Sequence, residues 1–206
     1  MKISVEAKVE GNKIIIDLSP SQLKKLTNKE NKVKLSSLTP GDEFLIGDEM
    51  FIVLEQTETA TKIIAKNFTN KMQFGKNSDW KLSSIRSFLN HEFYDKIAAI
   101  VGEKDIILME RDLTSLDGLD DYGTCTDRVS LLTATEYAKY HKILGSKSNY
   151  PCWWWTITPA STPSNDYSRN ICCVCYNGVL NWNLGDYDRG VRPFLTLNSA
   201  ITVSKG

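Results

Sequence analysis

The chain has 206 residues, with 25 Lys and Arg against 25 Asp and Glu, so its formal charge is zero and its pI about 6.7. That balance argues against a nucleic-acid binder held by phosphate contacts, and 41% hydrophobic with 10% aromatic residues excludes a disordered chain. No apolar run approaches the roughly 20 residues of a membrane span, and the alternating N-terminus does not read as a signal peptide. The expectation is a folded protein without a membrane span, cytoplasmic by default or carried on a phage particle or cell surface.

Residues 2–9 alternate as a strand, with Ile3, Val5 and Val9 on one face. Glu10-Gly11-Asn12 supplies a turn into a partner strand over residues 13–18. Ser19-Pro20-Ser21-Gln22 is a capping box with proline at the first helical position, opening a short helix through Leu26. Thr27 to Lys32 is polar and reads as a linker, so residues 1–32 form a small hairpin–helix appendage and residues 33–206 the main domain.

The main domain begins with three strands, at residues 43–46, 50–54 and 61–65. Ile85, Phe88, Leu89 and Phe93 then fall on one helical face, with Ser83 or Ser84 as cap. Residues 112–127 read as a loop, and Thr133-Ala134-Thr135-Glu136 is a capping box opening a helix through about Ile143. Beyond Tyr150, Pro, Gly, Asn and Ser recur every few residues, which points to short strands joined by long loops. The fold class is α+β.

Few residues offer catalytic chemistry. His91 and His141 both sit in helical stretches outside any HExxH motif, and GxGxxG, GxxxxGK[ST] and GxSxG are missing. Cys172, Cys173 and Cys175 have a CxxC spacing, but Cys125 and Cys152 are isolated, so no second ligand pair for zinc is in view. Free thiols are expected, with Cys173 and Cys175 on one face of a strand and Cys172 on the other. Asp117, Asp120 and Asp121 fail the alternate spacing of an EF-hand loop and read as a solvated acidic turn. Trp153-Trp154-Trp155 cannot all face one side of a strand, so most of that run is expected to be packing.

The last quarter of the chain is unlike a solvated face. From Tyr150 onward it holds four of the five tryptophans and four of the eight tyrosines, with only four basic and three acidic residues. Rigid aromatics beside short amides are the composition of binding surfaces.

An ordered set of motifs runs through the main domain. Trp80, then Ser84-Ile85-Arg86-Ser87-Phe88-Leu89-Asn90 and Phe93, precede Asp127-Arg128-Val129-Ser130-Leu131-Leu132-Thr133 with Glu136-Tyr137. Trp154-Trp155-Thr156-Ile157-Thr158-Pro159 follows, then Val174-Cys175-Tyr176-Asn177-Gly178 and Gly190-Val191-Arg192-Pro193-Phe194-Leu195. Over about residues 34–198 this series resembles the DUF6273 domain family, with one departure, Ile157 where that family usually has Arg. The resemblance implies a C-type-lectin-like fold, related in shape to formylglycine-generating enzymes, of the kind that diversity-generating retroelements rewrite near the end of the gene.

On that resemblance, residues 160–192 are a variable binding region and the protein is a non-enzymatic receptor or display protein without cofactor or metal. Its surface would comprise Asp166, Tyr167, Arg169, Asn170, Cys173, Cys175, Tyr176, Asn181, Trp182, Asn183, Asp186, Tyr187 and Asp188. The tyrosines and Trp182 supply contact area, and the asparagines and aspartates hydrogen bonds, toward a protein or glycan ligand. Mutagenised Asn codons never yield Trp, Lys, Glu, Gln or Met, and residues 164–189 contain none of these except Trp182. Residues 153–159 and 190–197 would be central strands, with Arg192 structural and paired with a buried acid or carbonyl. The competing readings are a formylglycine-generating-type enzyme using Cys172 or Cys175 with a metal, and a structural phage or surface module.

Overall fold

The computed structural model describes the backbone of residues 6–10 and 13–17, and residues 32–145, 151–166 and 168–205 in full. The expected helix at residues 19–26 lies outside them. The chain begins with strands β1 (Glu6–Glu10) and β2 (Lys13–Asp17), which pair with each other alone, Glu10 opposite Lys13. Then come β3 (Lys32–Lys34), β4 (Glu43–Ile46), β5 (Glu49–Gln56), β6 (Ala60–Ala65) and β7 (Asn70–Met72). A helical stretch follows, of α1 (Ser84–Phe88), a π-helical turn over Leu89–Phe93 and α2 (Tyr94–Val101). Four short strands come next: β8 (Ile106–Ile107), β9 (Met109–Asp112), β10 (Thr124–Asp127) and β11 (Val129–Ser130). The longest helix described is α3 (Ala134–Leu144). The remaining strands are β12 (Trp154–Pro159), β13 (Asn170–Val174), β14 (Leu180–Leu184), β15 (Arg189–Val191), β16 (Phe194–Asn198) and β17 (Thr202–Lys205).

Two sheets carry the fold. The larger curls through β11-β16-β6-β5-β4-β17-β3, with β8 also on β16, and the smaller runs β14-β13-β12-β15-β7. The class is α+β. Residues 112–127, read as loop, contribute their ends to a β9–β10 hairpin that pairs Asp112 with Thr124 and Met109 with Asp127. The polar, alternating β9 sequence Met-Glu-Arg-Asp buries Met109 and Arg111, and no run of apolar residues announces it.

Local signals act where they were expected. The Ile85 N–H donates to Ser83 Oγ at the head of α1 (3.1 Å), and Ile85, Leu89 and Phe93 are buried. At α3, Glu136 N–H donates to Thr133 Oγ1 (3.0 Å) and Thr133 N–H to Glu136 Oε2 (2.8 Å), both halves of the capping box. Of the tryptophan run, Trp155 enters the larger core with Trp80 and Phe74, while Trp154 enters a second cluster with Tyr137, Val174 and Phe194. Ile157 is fully buried in the larger core.

The motif residues form one buried polar frame. Asp127, 2% exposed, accepts from Trp80 Nε1 (2.7 Å) and from Arg86 Nε (2.7 Å). Asn90 Oδ1 accepts from the Arg128 and Val129 N–H groups, and its Nδ2 donates to the Val129 carbonyl (2.8 Å). Arg111 makes a two-pronged contact with Glu136 and also donates to the Leu131 carbonyl. Burial opposes ionisation of Glu136, and the Arg111 guanidinium together with the Thr133 hydrogen bonds outweighs it, so its carboxyl is held below the usual range.

Residues 190–197 do not form one strand. Val191 ends β15 in the smaller sheet and Phe194 starts β16 in the larger, with Arg192-Pro193 carrying the chain between them. Arg192 is buried, donates from Nε to the Ala65 carbonyl (2.7 Å) and lies over the Trp154 ring at 5.3 Å. Pro193 cannot donate to a ladder, yet its carbonyl accepts from Ala65 N–H (2.8 Å).

Candidate functional site

The smaller sheet presents its edge strand, β14, in the region of unusual composition. Cys172 pairs with Trp182 and Cys173 with Asn181, and directly opposite residues share a face. Ile171, Cys173 and, on β12, Trp155 face the larger core, whereas Val174 and Trp154 face the cluster under α3. Asn181 and Asn183 therefore lie on one face of β14, and Leu180, Trp182 and Leu184 on the other.

The hydrogen-bond phase of β14 is also fixed. Cys175 N–H donates to the Val179 carbonyl (2.9 Å) and Gly185 N–H to the Arg169 carbonyl (3.0 Å). Odd-numbered residues of β14 thus face β13, and even-numbered ones turn their N–H groups to the open edge. Two of these are covered by the preceding asparagine: Trp182 N–H donates to Asn181 Oδ1 (2.8 Å) and Leu184 N–H to Asn183 Oδ1 (2.9 Å).

On the face of Asn181, aromatic rings and one cation form a row. The Arg189 guanidinium lies 5.0 Å from the Tyr187 ring centroid and 5.4 Å from that of Trp153, whose ring meets Tyr176 edge-on at 6.2 Å. Gly190 N–H donates to the Trp153 carbonyl (2.8 Å), which sets Trp153 beside Arg189. A side chain at Gly190 would collide with the Phe68 ring at 2.9 Å, so the strand must carry glycine to lie this close. Tyr176 and Tyr187 are 55% and 48% exposed.

The expected surface residues divide. Asp166, Arg169, Tyr176, Asn181, Trp182, Asp186, Tyr187 and Asp188 are exposed and Asn183 is half-buried. Arg169 and Asp186 pair at 3.3 Å across the base of the hairpin. Tyr167 lies outside the described residues. Asn170 and Cys173 are buried because alternate residues of β13 point into packed layers on both sides, and Cys175, in the turn that follows, is buried as well; none of the three belongs to an open surface. Trp182 is exposed but on the opposite face from Asn181, nearer Leu180 and Val179, which with Tyr137 and His141 line a shallow groove.

Trp153 and Arg189 belong to the row and were missed. Trp153 was absorbed into the tryptophan run, and the signal that separates it is position: it stands just outside β12, where the strand's packing ends.

The thiols are quiet. Cys172 and Cys173 are fully buried, and burial pushes the Cys172 thiol up to about 11 and the Cys173 thiol higher. Burial also raises Cys175, with the Asn181 carboxamide and the Arg189 charge acting against it. All five cysteines are free, and among the described residues no group of three His, Cys, Asp or Glu side chains is placed to hold a metal ion. Thiolates are the reactive and metal-binding form, so burial suppresses both kinds of chemistry here.

The acidic turn braces the loop that leads into the site. Asp117 accepts from Ser115 Oγ and Ser161 Oγ, and Asp121 from Ser164 N–H and Oγ, both at 2.8 Å. These hydrogen bonds hold both carboxyls below their ordinary range. Hydroxyl and amide donors thus occupy carboxylate oxygens of Asp117 and Asp121. No helix among the described residues is long and apolar enough to cross a membrane.

No curated protein and no solved structure matches the chain. One family model does, described as a domain of unknown function, DUF6273, over residues 56–199. That match takes in the whole buried polar frame and the aromatic row, and about 70% of the sequence; the chain belongs to the DUF6273 family.

Proposed function

We propose that this protein is a non-enzymatic binding protein with a C-type-lectin-like fold. The surface around β14 and the turn into β15 takes up a protein or glycan ligand. The observation that carries this reading is the crowding of exposed apolar side chains. Of the nine large ones exposed among the described residues, five lie between Tyr176 and Tyr187. Exposed Tyr187 lies against Arg189, which stacks on half-buried Trp153 beside exposed Tyr176; Tyr, Trp and Arg are the residues that dominate binding energy at interfaces, and the strand pairing beneath them gives a rigid base. The raised thiols of Cys172, Cys173 and Cys175 favour binding over thiol catalysis.

The direct test is to screen the full chain against a displayed peptide library and a glycan array, with a Tyr176→Ala/Asn181→Ala/Tyr187→Ala variant as counter-screen. Ligands lost by the variant at unchanged melting temperature support the reading. Ligands retained by it place binding elsewhere on the molecule.

We further propose that this surface is diversified by a retroelement. The set Asp166, Arg169, Asn181, Asp186, Tyr187 and Asp188 is exposed, and exchange at exposed positions ordinarily leaves the core undisturbed. Sequencing around the gene tests it. A reverse-transcriptase gene with a near-copy of the segment encoding about residues 160–192, differing only at template adenines, supports diversification. Finding neither makes the surface a fixed one.

A further inference from the structure

Among the described residues, Arg189 is the one arginine without a firm hydrogen-bond partner. Arg86, Arg111, Arg128, Arg169 and Arg192 each donate to a carboxylate or carbonyl at 3.3 Å or less. Arg189 makes one long contact, from Nη1 to the carbonyl of its neighbour Asp188 at 3.4 Å. Its Nε is out of solvent with no partner, whereas Nη2, also without one, keeps contact with solvent. What holds the group is stacking, over the Tyr187 ring at 5.0 Å and the Trp153 ring at 5.4 Å. A guanidinium stacks through its flat faces and donates in its plane. The rings therefore fix the fork in place and leave its edge open.

That edge selects the ligand's charge and shape. A planar carboxylate matches a guanidinium fork with its two oxygens. Neither acid of the adjoining turn fills the place: Asp186 pairs with Arg169, and Asp188 meets Arg189 only through its carbonyl. A phosphate dianion would want a second cation, and Lys71, opposite Gly190 in the ladder, belongs to the other face of the sheet. Beside the fork, Tyr176 and Tyr187 are 55% and 48% exposed and offer apolar area. A sugar acid would need partners for its hydroxyls, yet Asn181 and Asn183 already commit their side-chain oxygens to Trp182 and Leu184 N–H. We infer that the aromatic row captures an acidic side chain of a protein partner, with its carboxylate on Arg189 and an adjacent apolar residue against the tyrosines. The inference rests on the row being the ligand surface and adds the charge of what it takes.

The test is a calorimetric titration of the full chain, at fixed ionic strength, with the tripeptide N-acetyl-Leu-Glu-Phe amide and with its counterpart carrying Gln. So short a probe should bind with a Kd on the order of millimolar. The Glu peptide should bind saturably and about tenfold more tightly than the Gln peptide. Arg189→Gln should remove that preference, and Lys71→Gln, which deletes the same charge from the neighbouring strand, should leave it intact. Equal affinity of the two peptides for the unmodified chain overturns the inference and needs no variant that could fail to fold. A preference that survives Arg189→Gln, or falls as far in Lys71→Gln, overturns it as well. So does tighter binding of N-acetylneuraminic acid, which would assign the fork to a glycan, and so does the absence of saturable binding by the Glu peptide. The two failures are distinguishable. Equal peptide affinities that both fall in Tyr187→Ala remove the carboxylate and keep the surface, whereas peptides that Tyr187→Ala still binds unchanged remove the surface itself.

Discussion

Asp127 and Tyr187 stand for two regions built on opposite terms. Around Asp127, a carboxylate is sealed inside and both of its oxygens are used, by Trp80 and Arg86. Around Tyr187, rings stand in solvent, touched on one side by a guanidinium and bonded to little else. The motif residues that identify the family gather in the first region, Trp80, Arg86, Asn90, Asp127, Glu136 and Arg192 among them, and few of them reach the second. A motif series can therefore describe a frame, while most of the exposed aromatic row lies in the segment the motifs leave open. The contrast also sets what each region tolerates: exchange in the frame strands a polar partner, and exchange in the open segment costs contact area or, at Asn181 and Asn183, the cover of the β14 edge.

Asp127→Ala should break the contrast most severely. It leaves the buried Trp80 indole N–H and the Arg86 guanidinium, 30% exposed, without their shared acceptor, and stranding such groups costs up to about 3 kcal/mol. Urea unfolding of the variant reads that loss directly. A cost below about 1 kcal/mol, the range of a surface pair, would place this carboxylate with the exposed residues.

Gly185→Ala acts where frame and open segment meet. Its Cβ would stand 2.6 Å from the Gly75 carbonyl oxygen, a backbone contact that cannot yield as a side chain could. The expected loss is about 1–3 kcal/mol, the usual cost of overpacking. Hydrogen exchange should show it concentrated where Gly75 N–H donates to the Gly185 carbonyl, at 3.1 Å.

Tyr176→Ala and Tyr187→Ala sharpen the comparison from the other side. Each should change unfolding free energy by no more than about 0.5 kcal/mol. Each should also weaken any ligand taken by this surface about tenfold or more, as truncation of an aromatic anchor does. A stability loss comparable with that of Asp127→Ala would make these rings part of the frame.

The smallest effect is a pH dependence at α3. Lys139 and Tyr140 both hydrogen-bond Glu55 and hold its carboxyl down at about 2, against 4.5 for the free group. The folded pKa is depressed, so the stabilisation is fully present above about pH 4.5 and is lost as the pH falls toward 2. Glu55 is partly exposed, so solvent screens the effect. Denaturant melts of the protein and of Glu55→Gln should differ at pH 7 and converge by pH 2.

How far these regions could be read from sequence follows from the range of the forces involved. Strands such as Glu43–Ile46 and both helix caps were legible because alternation and capping act over a few residues. Arg192 was legible as structural, though its partner, the Ala65 carbonyl, is 127 residues away and no local pattern names it. The split of residues 190–197 between two sheets has one local sign, Pro193, which cannot donate to a ladder; which sheets Val191 and Phe194 join is set by the distant strands they pair with. In the candidate site, the residue types pointed to the right segment, but the choice of face was invisible. Cys173 and Trp182 look alike as candidates until every residue of β13 is seen to be buried while Leu180, Asn181 and Trp182 of β14 are exposed. Trp153 and Arg189 escaped because their pairing spans the sheet, through Gly190.

The asparagine covers on β14 carry a consequence for how this protein behaves at high concentration. An edge strand with free N–H groups is a template for the same edge of another molecule. Here the side chains of Asn181 and Asn183 occupy two of those groups, and thereby keep neighbouring copies from extending one another's sheets. Any substitution at these two positions that lacks a short acceptor uncovers the strand beside Trp182 and Leu180. Solubility then limits which residues this surface can carry, independently of what it binds.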